Sequence, residues 1–171
     1  MQHILAFLST LAISCWLGGA ALFTFILTPK LFADLSRDMA GMIVGLLFPV
    51  YFRWGLACGA VALLCRLVGR GRFTLASVLI LLAMLLLTAT QAYVIEPKAV
   101  AVKQQIASFE TTPKDDPYRV QFRKLHGLSM VANLSVIVGG VVLILLGSLA
   151  NTPSIGNEAV SQSRQAIQQR Q

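Results

Sequence analysis

Residues 73–95 read FTLASVLILLAMLLLTATQAYVI, with no Asp, Glu, Lys or Arg among them. As a helix rising about 1.5 Å per residue, a run of this length crosses a hydrocarbon core of about 30 Å. Residues 1–29 and 125–157 are equally free of these charges, and Arg53 is the sole charge between Met39 and Cys65. With 56% hydrophobic and 12% charged residues over 171 positions, the chain does not have the composition of a soluble domain. It reads as an all-α integral membrane protein, a four-transmembrane-helix bundle. The spans are expected at about 4–28, 48–67, 73–95 and 125–149 within one domain of residues 1–150.

The span boundaries follow from local chemistry. Pro29 is expected to stop the first helix, since proline cannot donate to the ladder and disfavours helix in the residue before it. The stretch Met39 to Val68 would be about 45 Å long as a helix, more than the core requires. Met39 to Leu47 is therefore read as interfacial, with Pro49 near a helix start and Tyr51, Phe52, Arg53 and Trp54 as an aromatic belt with one snorkelling cation. One long tilted helix with Arg53 deep in the structure is the alternative. Arg66, Arg70 and Arg72 form a basic turn, and Glu96-Pro97 ends the third span. In the extramembrane loop 97–124, Val102, Ile106 and Phe109 recur at helical spacing and predict an amphipathic surface helix between spans three and four. Asp116-Pro117 is an N-cap followed by proline at the first helical position, so a helix should begin there and run into the fourth span. Residues 151–171, rich in Gln, Ser and Asn, read as a mobile polar tail.

Lys plus Arg number 14 and Asp plus Glu 7, a net charge of +7. No soluble face exists on which these cations could form a nucleic-acid stripe, so nucleic acid is not an expected partner. Basic loops flanking apolar helices instead meet anionic lipid headgroups. The lipid bilayer is the expected partner, and in a bacterium the place is the inner (plasma) membrane. Orientation stays open, because one side holds more basic residues and the other the dense arginine turn. The first apolar run has no preceding Lys or Arg and continues through Trp16-Leu17-Gly18-Gly19 to Leu27, so it reads as a retained span.

Two features concern packing and chemistry. Gly41, Gly45, Gly55 and Gly59 fall with Phe48 and Phe52 on one helical face, and such glycines let a second backbone come close, inside the monomer or in a homo-oligomer. Polar residues gather on the long-loop side: Gln91, Tyr93 and Glu96 on the third helix, His126, Ser129 and Asn133 at i, i+3 and i+7 on the fourth, and Arg53 on the second. This cluster either locks the helices, with Glu96 paired to Arg53, or admits an ion or small solute. An amide as deep as Asn133 needs a partner.

Trp16-Leu-Gly-Gly with Phe23, Leu47-Phe48-Pro49-Val50-Tyr51-Phe52, Glu96-Pro97-Lys98, Asp116-Pro117-Tyr118, and His126-Gly127-Leu128-Ser129 with Asn133-Leu134 together resemble the transmembrane-protein-205-like family, also called domain of unknown function 4149. The resemblance covers the chain from the first span to about residue 149. It implies a four-span membrane protein and carries no settled activity onto individual residues.

The first functional reading is therefore a non-enzymatic membrane protein, a scaffold or assembly factor or a small transport component, with no catalytic residue and no cofactor. The second is a haem- or metal-binding protein using His126, suggested by a looser likeness to copper-resistance membrane proteins. His3 and His126 open spans from opposite sides, so one subunit does not offer bis-histidine ligation. Cys15, Cys58, Cys65, Met39, Met42, Met84 and Met130 are soft enough for a metal, but they read more simply as core filling. Ser129 lies one turn from His126 without a third catalytic group.

Overall fold

The computed structural model describes residues 1–69 and 74–150, so Arg70, Arg72 and the tail 151–171 lie outside the described residues. The described elements are all helical: α1 (Gln2–Ala21), α2 (Thr28–Asp34), α3 (Arg37–Val68), α4 (Leu75–Thr90), α5 (Glu96–Lys103) and α6 (Pro117–Ala150). π-Helical turns, Leu22–Leu27 and Gln91–Ile95, join α1 to α2 and α4 to α5. Four continuous rods result, Gln2–Asp34, Arg37–Val68, Leu75–Lys103 and Pro117–Ser148, each long and apolar enough to cross a membrane.

The π turns correct the expectation that Pro29 and Glu96-Pro97 end helices. Upstream of each proline the backbone bonding slips by one residue: the Thr28 N–H donates to the Phe23 carbonyl and the Glu96 N–H to the Gln91 carbonyl. The helix then restarts with proline in its first turn, where a missing N–H costs nothing. Only Leu35 and Ser36 separate the first rod from the second. The amphipathic surface helix is likewise not a separate element. The third rod runs on to Lys103, after which the chain turns; Ile106 is buried and Phe109 packs edge-on against Phe122.

α3 is one helix with Pro49 inside it, and it is about 48 Å long. Its N-cap is Ser36, whose hydroxyl accepts from the Met39 N–H at 3.3 Å. Arg66 belongs to the last turns of α3 rather than to a basic turn; it is buried, and its Nε donates to the Ser9 hydroxyl at 3.1 Å. Asp116 caps α6 as its sequence predicts, accepting from the N–H groups of Tyr118 at 2.9 Å and Arg119 at 3.1 Å.

The helices close a ring in which α1 packs on α3 and α6, and α4 packs on α3 and α6. The core lies in the half nearer the N-terminus, formed by Ile13, Trp16, Ala62, Leu81, Met84, Val136 and Leu143 among others. Outward positions are just as apolar: Leu46 is 72% exposed, Leu86 69% and Val138 61%. An apolar surface of that extent fits a bundle in lipid.

Trp16 sets the α1–α3 distance. A Cβ on Gly55 would lie 2.6 Å from the Trp16 Nε1, and one on Gly59 2.6 Å from its ring and 2.5 Å from Leu85 Cδ2. At Gly18 nothing lies within 4 Å. Gly59→Val is expected to destabilise the bundle by about 1–3 kcal/mol, as overpacking does, while Gly18→Ala is neutral or stabilises by up to about 1 kcal/mol. Reversible unfolding of both variants in mixed detergent checks this, and equal effects would contradict the seam.

Candidate functional site

Beyond the Trp16 core the rods separate at the loop end. There the rods frame a half-open cavity of about 780 Å³ between α2, α3, α5 and α6, with Phe32, Met42 and Leu46 exposed along its rim. This is within the usual range for ligand sites, about 300–1,000 Å³. The cavity exists partly because α3 presents Gly41 and Gly45 to it. A Cβ at either position would meet only the Lys103 side chain, at 3.5 Å and 3.9 Å respectively. The two glycine pairs on one helical face thus do different things: Gly55 and Gly59 close a helix contact, whereas Gly41 and Gly45 leave room. All four face other parts of the same chain, and self-association through this face draws no support from them.

The walls are mostly apolar, with Val44, Phe48, Ile95, Ala99 and Val100 among them, and carry Arg37, Glu96, Lys103, Arg119, His126 and Ser129. The Lys103 ammonium donates to the Gly41 carbonyl at 2.7 Å and ties the end of α5 to α3. The Arg119 guanidinium donates to the Thr112 carbonyl and lies over the Phe109 ring, 5.6 Å from its centroid. His126 stacks on Phe122 at 6.0 Å. The loop forming this end is pinned to α3 by Asp38, which accepts from the Ser108 hydroxyl and, at 2.7 Å, from the Phe109 N–H. Asp38 stands in the first turn of α3, outside the part needed to cross a bilayer. The Ser108 hydroxyl, then the Phe109 N–H, hold its carboxyl below the usual range.

The polar residues expected to cluster divide into separate groups. The Ser129 hydroxyl donates to the Gln91 Oε1 at 3.1 Å. Asn133 has two partners: its Nδ2 donates to the Thr24 hydroxyl at 2.8 Å, and its Oδ1 accepts from the Tyr51 hydroxyl. Glu96, His126 and Ser129 line the cavity together. Arg53 does not join them and does not pair with Glu96. Its helix turns it outward, where its Nε donates to the Pro49 carbonyl of the preceding turn at 3.0 Å. Tyr93 also points away, 70% exposed.

The polar cluster read from the sequence does not include Thr24, Tyr51, Lys103 or Arg119, although the sequence places Lys103 and Arg119 on the long-loop side. The need of Asn133 for a partner was legible, but the partner's identity depends on how α6 sits against α1 and α3. The metal reading gains nothing: among the described residues, no three His, Cys, Asp or Glu side chains converge on a point that could hold an ion. Cys58 and Cys65 are buried in helix packing.

The fold and this end of it define a class, an all-helical bundle of four membrane-length helices with a ligand-sized cavity at its loop end. The chain belongs to the family described as Domain of unknown function (DUF4149), whose family model matches residues 11–108, more than half of its length. It is also 33% identical over 138 residues to an uncharacterized protein of Aquifex aeolicus (strain VF5), covering 78% of this chain and 91% of that one. No solved structure matches. The family match includes Gly41, Gly45, Glu96 and Lys103 but ends before α6, so Arg119, His126 and Asn133 lie beyond it.

Asp38 provides a test of how the loop is held. A carboxyl whose folded pKa is depressed contributes stability above its unfolded value, about 3.9, and loses it as pH falls through the folded value. Asp38→Ala should speed hydrogen exchange at the Phe109 amide at neutral pH. Relative to the intrinsic exchange rate at each pH, the wild type should lose its Phe109 protection only once the pH drops below the ordinary carboxylate range. Unchanged Phe109 exchange in the variant would remove Asp38 from this role.

Proposed function

We propose that the chain is an integral, multi-pass membrane protein, of the inner membrane in a bacterial host, that works without catalysis as a binding or small transport component. Four apolar helices with an apolar outer face support the membrane assignment, and the bacterial relative supports the host. The finer likeness to the transmembrane-protein-205-like group belongs to the same proposal and rests on the motif blocks shared along the chain.

One observation carries the binding reading. The 780 Å³ cavity is apolar on most of its wall and has a few convergent polar groups, Glu96, Lys103, Arg119, His126 and Ser129. That is the usual composition of a site for a small organic molecule. A scaffold has no use for such a space, and filling it with side chains would strengthen the α3–α5 contact. The Gly41 and Gly45 positions leave it unfilled.

Gly45→Leu fills the cavity where space is open and improves helix propensity, so it tests the reading without breaking the fold. In native mass spectrometry of the detergent-purified full chain, the wild type should retain a small molecule. Gly45→Leu should emerge bare, with a melting temperature no lower than that of the ligand-free wild type. A bare wild type, or the same adduct on both proteins, would sink the binding reading.

A further inference from the structure

Beside the large cavity lies a smaller one of about 300 Å³, lined by Phe109, Lys114, Arg119, Phe122, Arg123 and His126. Four of these six, Phe109, Arg119, Phe122 and His126, also line the large cavity, so the two spaces adjoin across the same side chains. Their chemistry differs. The small chamber has three cations, one imidazole and two aromatic rings, with no carboxylate in its wall.

Of the nearby acids, Asp116 is occupied by the N–H groups at the start of α6, Asp38 by Ser108 and Phe109, and Glu110 accepts from the Arg37 N–H at 3.0 Å, while Asp115, next to Lys114, is exposed and lines neither space. Arg119 and Arg123 are one helical turn apart, a like-charge spacing that destabilises a helix unless an anion sits between the two. The Arg119 guanidinium is fixed by the Thr112 carbonyl and the Phe109 ring, yet a guanidinium has five N–H donors and keeps others for a ligand. Arg123 is exposed, and the described residues give its side chain no hydrogen bond or ion pair. A fixed arginine beside an open one suits a carboxylate or phosphate.

Resting on the binding reading above, we propose that the small chamber takes the anionic headgroup of a single-chain amphiphile whose tail lies in the large cavity, along Phe48, Val44, Ile95 and Val100. The two walls differ in charge: the large cavity carries Glu96 among its cations and is apolar over most of its wall, whereas the small chamber has cations and no carboxylate, which makes the small chamber the place for the head. A free anion would use the chamber alone and gain nothing from the apolar space. A neutral amphiphile would use the apolar space and gain nothing from the arginines.

Equilibrium dialysis of the full chain in a neutral detergent separates these cases, using laurate, lauroyl lysophosphatidylglycerol, dodecanol and inorganic phosphate as probes. One of the two anionic amphiphiles should bind about tenfold or more tightly than dodecanol, as a charge-assisted contact implies. The tighter of the two identifies the headgroup source. Arg123→Gln should remove most of that advantage and leave dodecanol binding unchanged, and because Arg123 has no structural contact the variant should fold. Dodecanol binding as tightly as both anions, with no effect of Arg123→Gln, would overturn the headgroup proposal and leave the cavity reading intact. Phosphate binding as tightly as the amphiphiles would overturn the tail. If no probe binds, and Gly45→Leu behaves as wild type in mass spectrometry, both readings fall.

Discussion

A proline can follow a helical turn only if the carbonyl four residues back is moved aside, since the ring brings no N–H and occupies the donor's place. At Pro29 and Pro97 the chain meets this constraint by widening the preceding turn into a π turn rather than by ending the helix. Two consequences follow. The first and third rods continue as α2 and α5, and these extensions, with the first turns of α3 and α6, wall the cavity. The widened turns also carry the polar side chains that reach α6, Thr24 to Asn133 and Gln91 to Ser129.

Those contacts matter more for placement than for total stability. Between helices in lipid, burial of apolar area does not drive association, and side-chain hydrogen bonds average only about 0.6 kcal/mol. Close packing supplies the rest, here through Trp16 seated on Gly55 and Gly59. A buried amide without partners is costly in either solvent, so Asn133 admits few rotations or shifts of α6 against Tyr51 and Thr24. The same logic applies at the other end, where buried Arg66 is joined to Ser9 across α3 and α1. Polar groups thus fix register at both ends, while the aliphatic and aromatic core fills the space between.

Much of this architecture was legible in the sequence, since charge-free runs, the Asp116-Pro117 cap and the paired glycines are local signals with direct physical meaning. What misled was applying local rules one residue at a time. Proline does disfavour the helix before it, but a π turn costs little and lets the apolar rod go on, so Pro29 and Pro97 became first-turn residues. Val102, Ile106 and Phe109 have helical spacing, yet Asp38 holds the loop at Ser108 and Phe109 and breaks that period after Lys103. Arg53 and Glu96 share an end of the bundle but not a face, because rotation about α3 is set by the glycines and Trp16. The cavity was least legible of all, since it arises where side chains are missing.

The division of α3 into a closed half and an open half limits how a ligand can move. Ile13, Trp16, Leu81 and Leu143, each no more than 2% exposed, fill the interior of the closed half. The large cavity lies wholly at the loop end. A molecule held there reaches one side of the bundle, and to pass further it would have to displace Trp16 from Gly55 and Gly59, the tightest contact between α1 and α3. The loop end is different: Asp38, Lys103 and Arg119 hold it through a few hydrogen bonds at the chain surface, which open at far lower cost than a packed aromatic seam. The cavity also reaches the apolar outer face, where its lining residues Phe32, Met42 and Leu46 are exposed. Under the membrane reading a ligand therefore exchanges at this end of the bundle, from the loop side or from between the rods, and the packed half closes the way through a single copy.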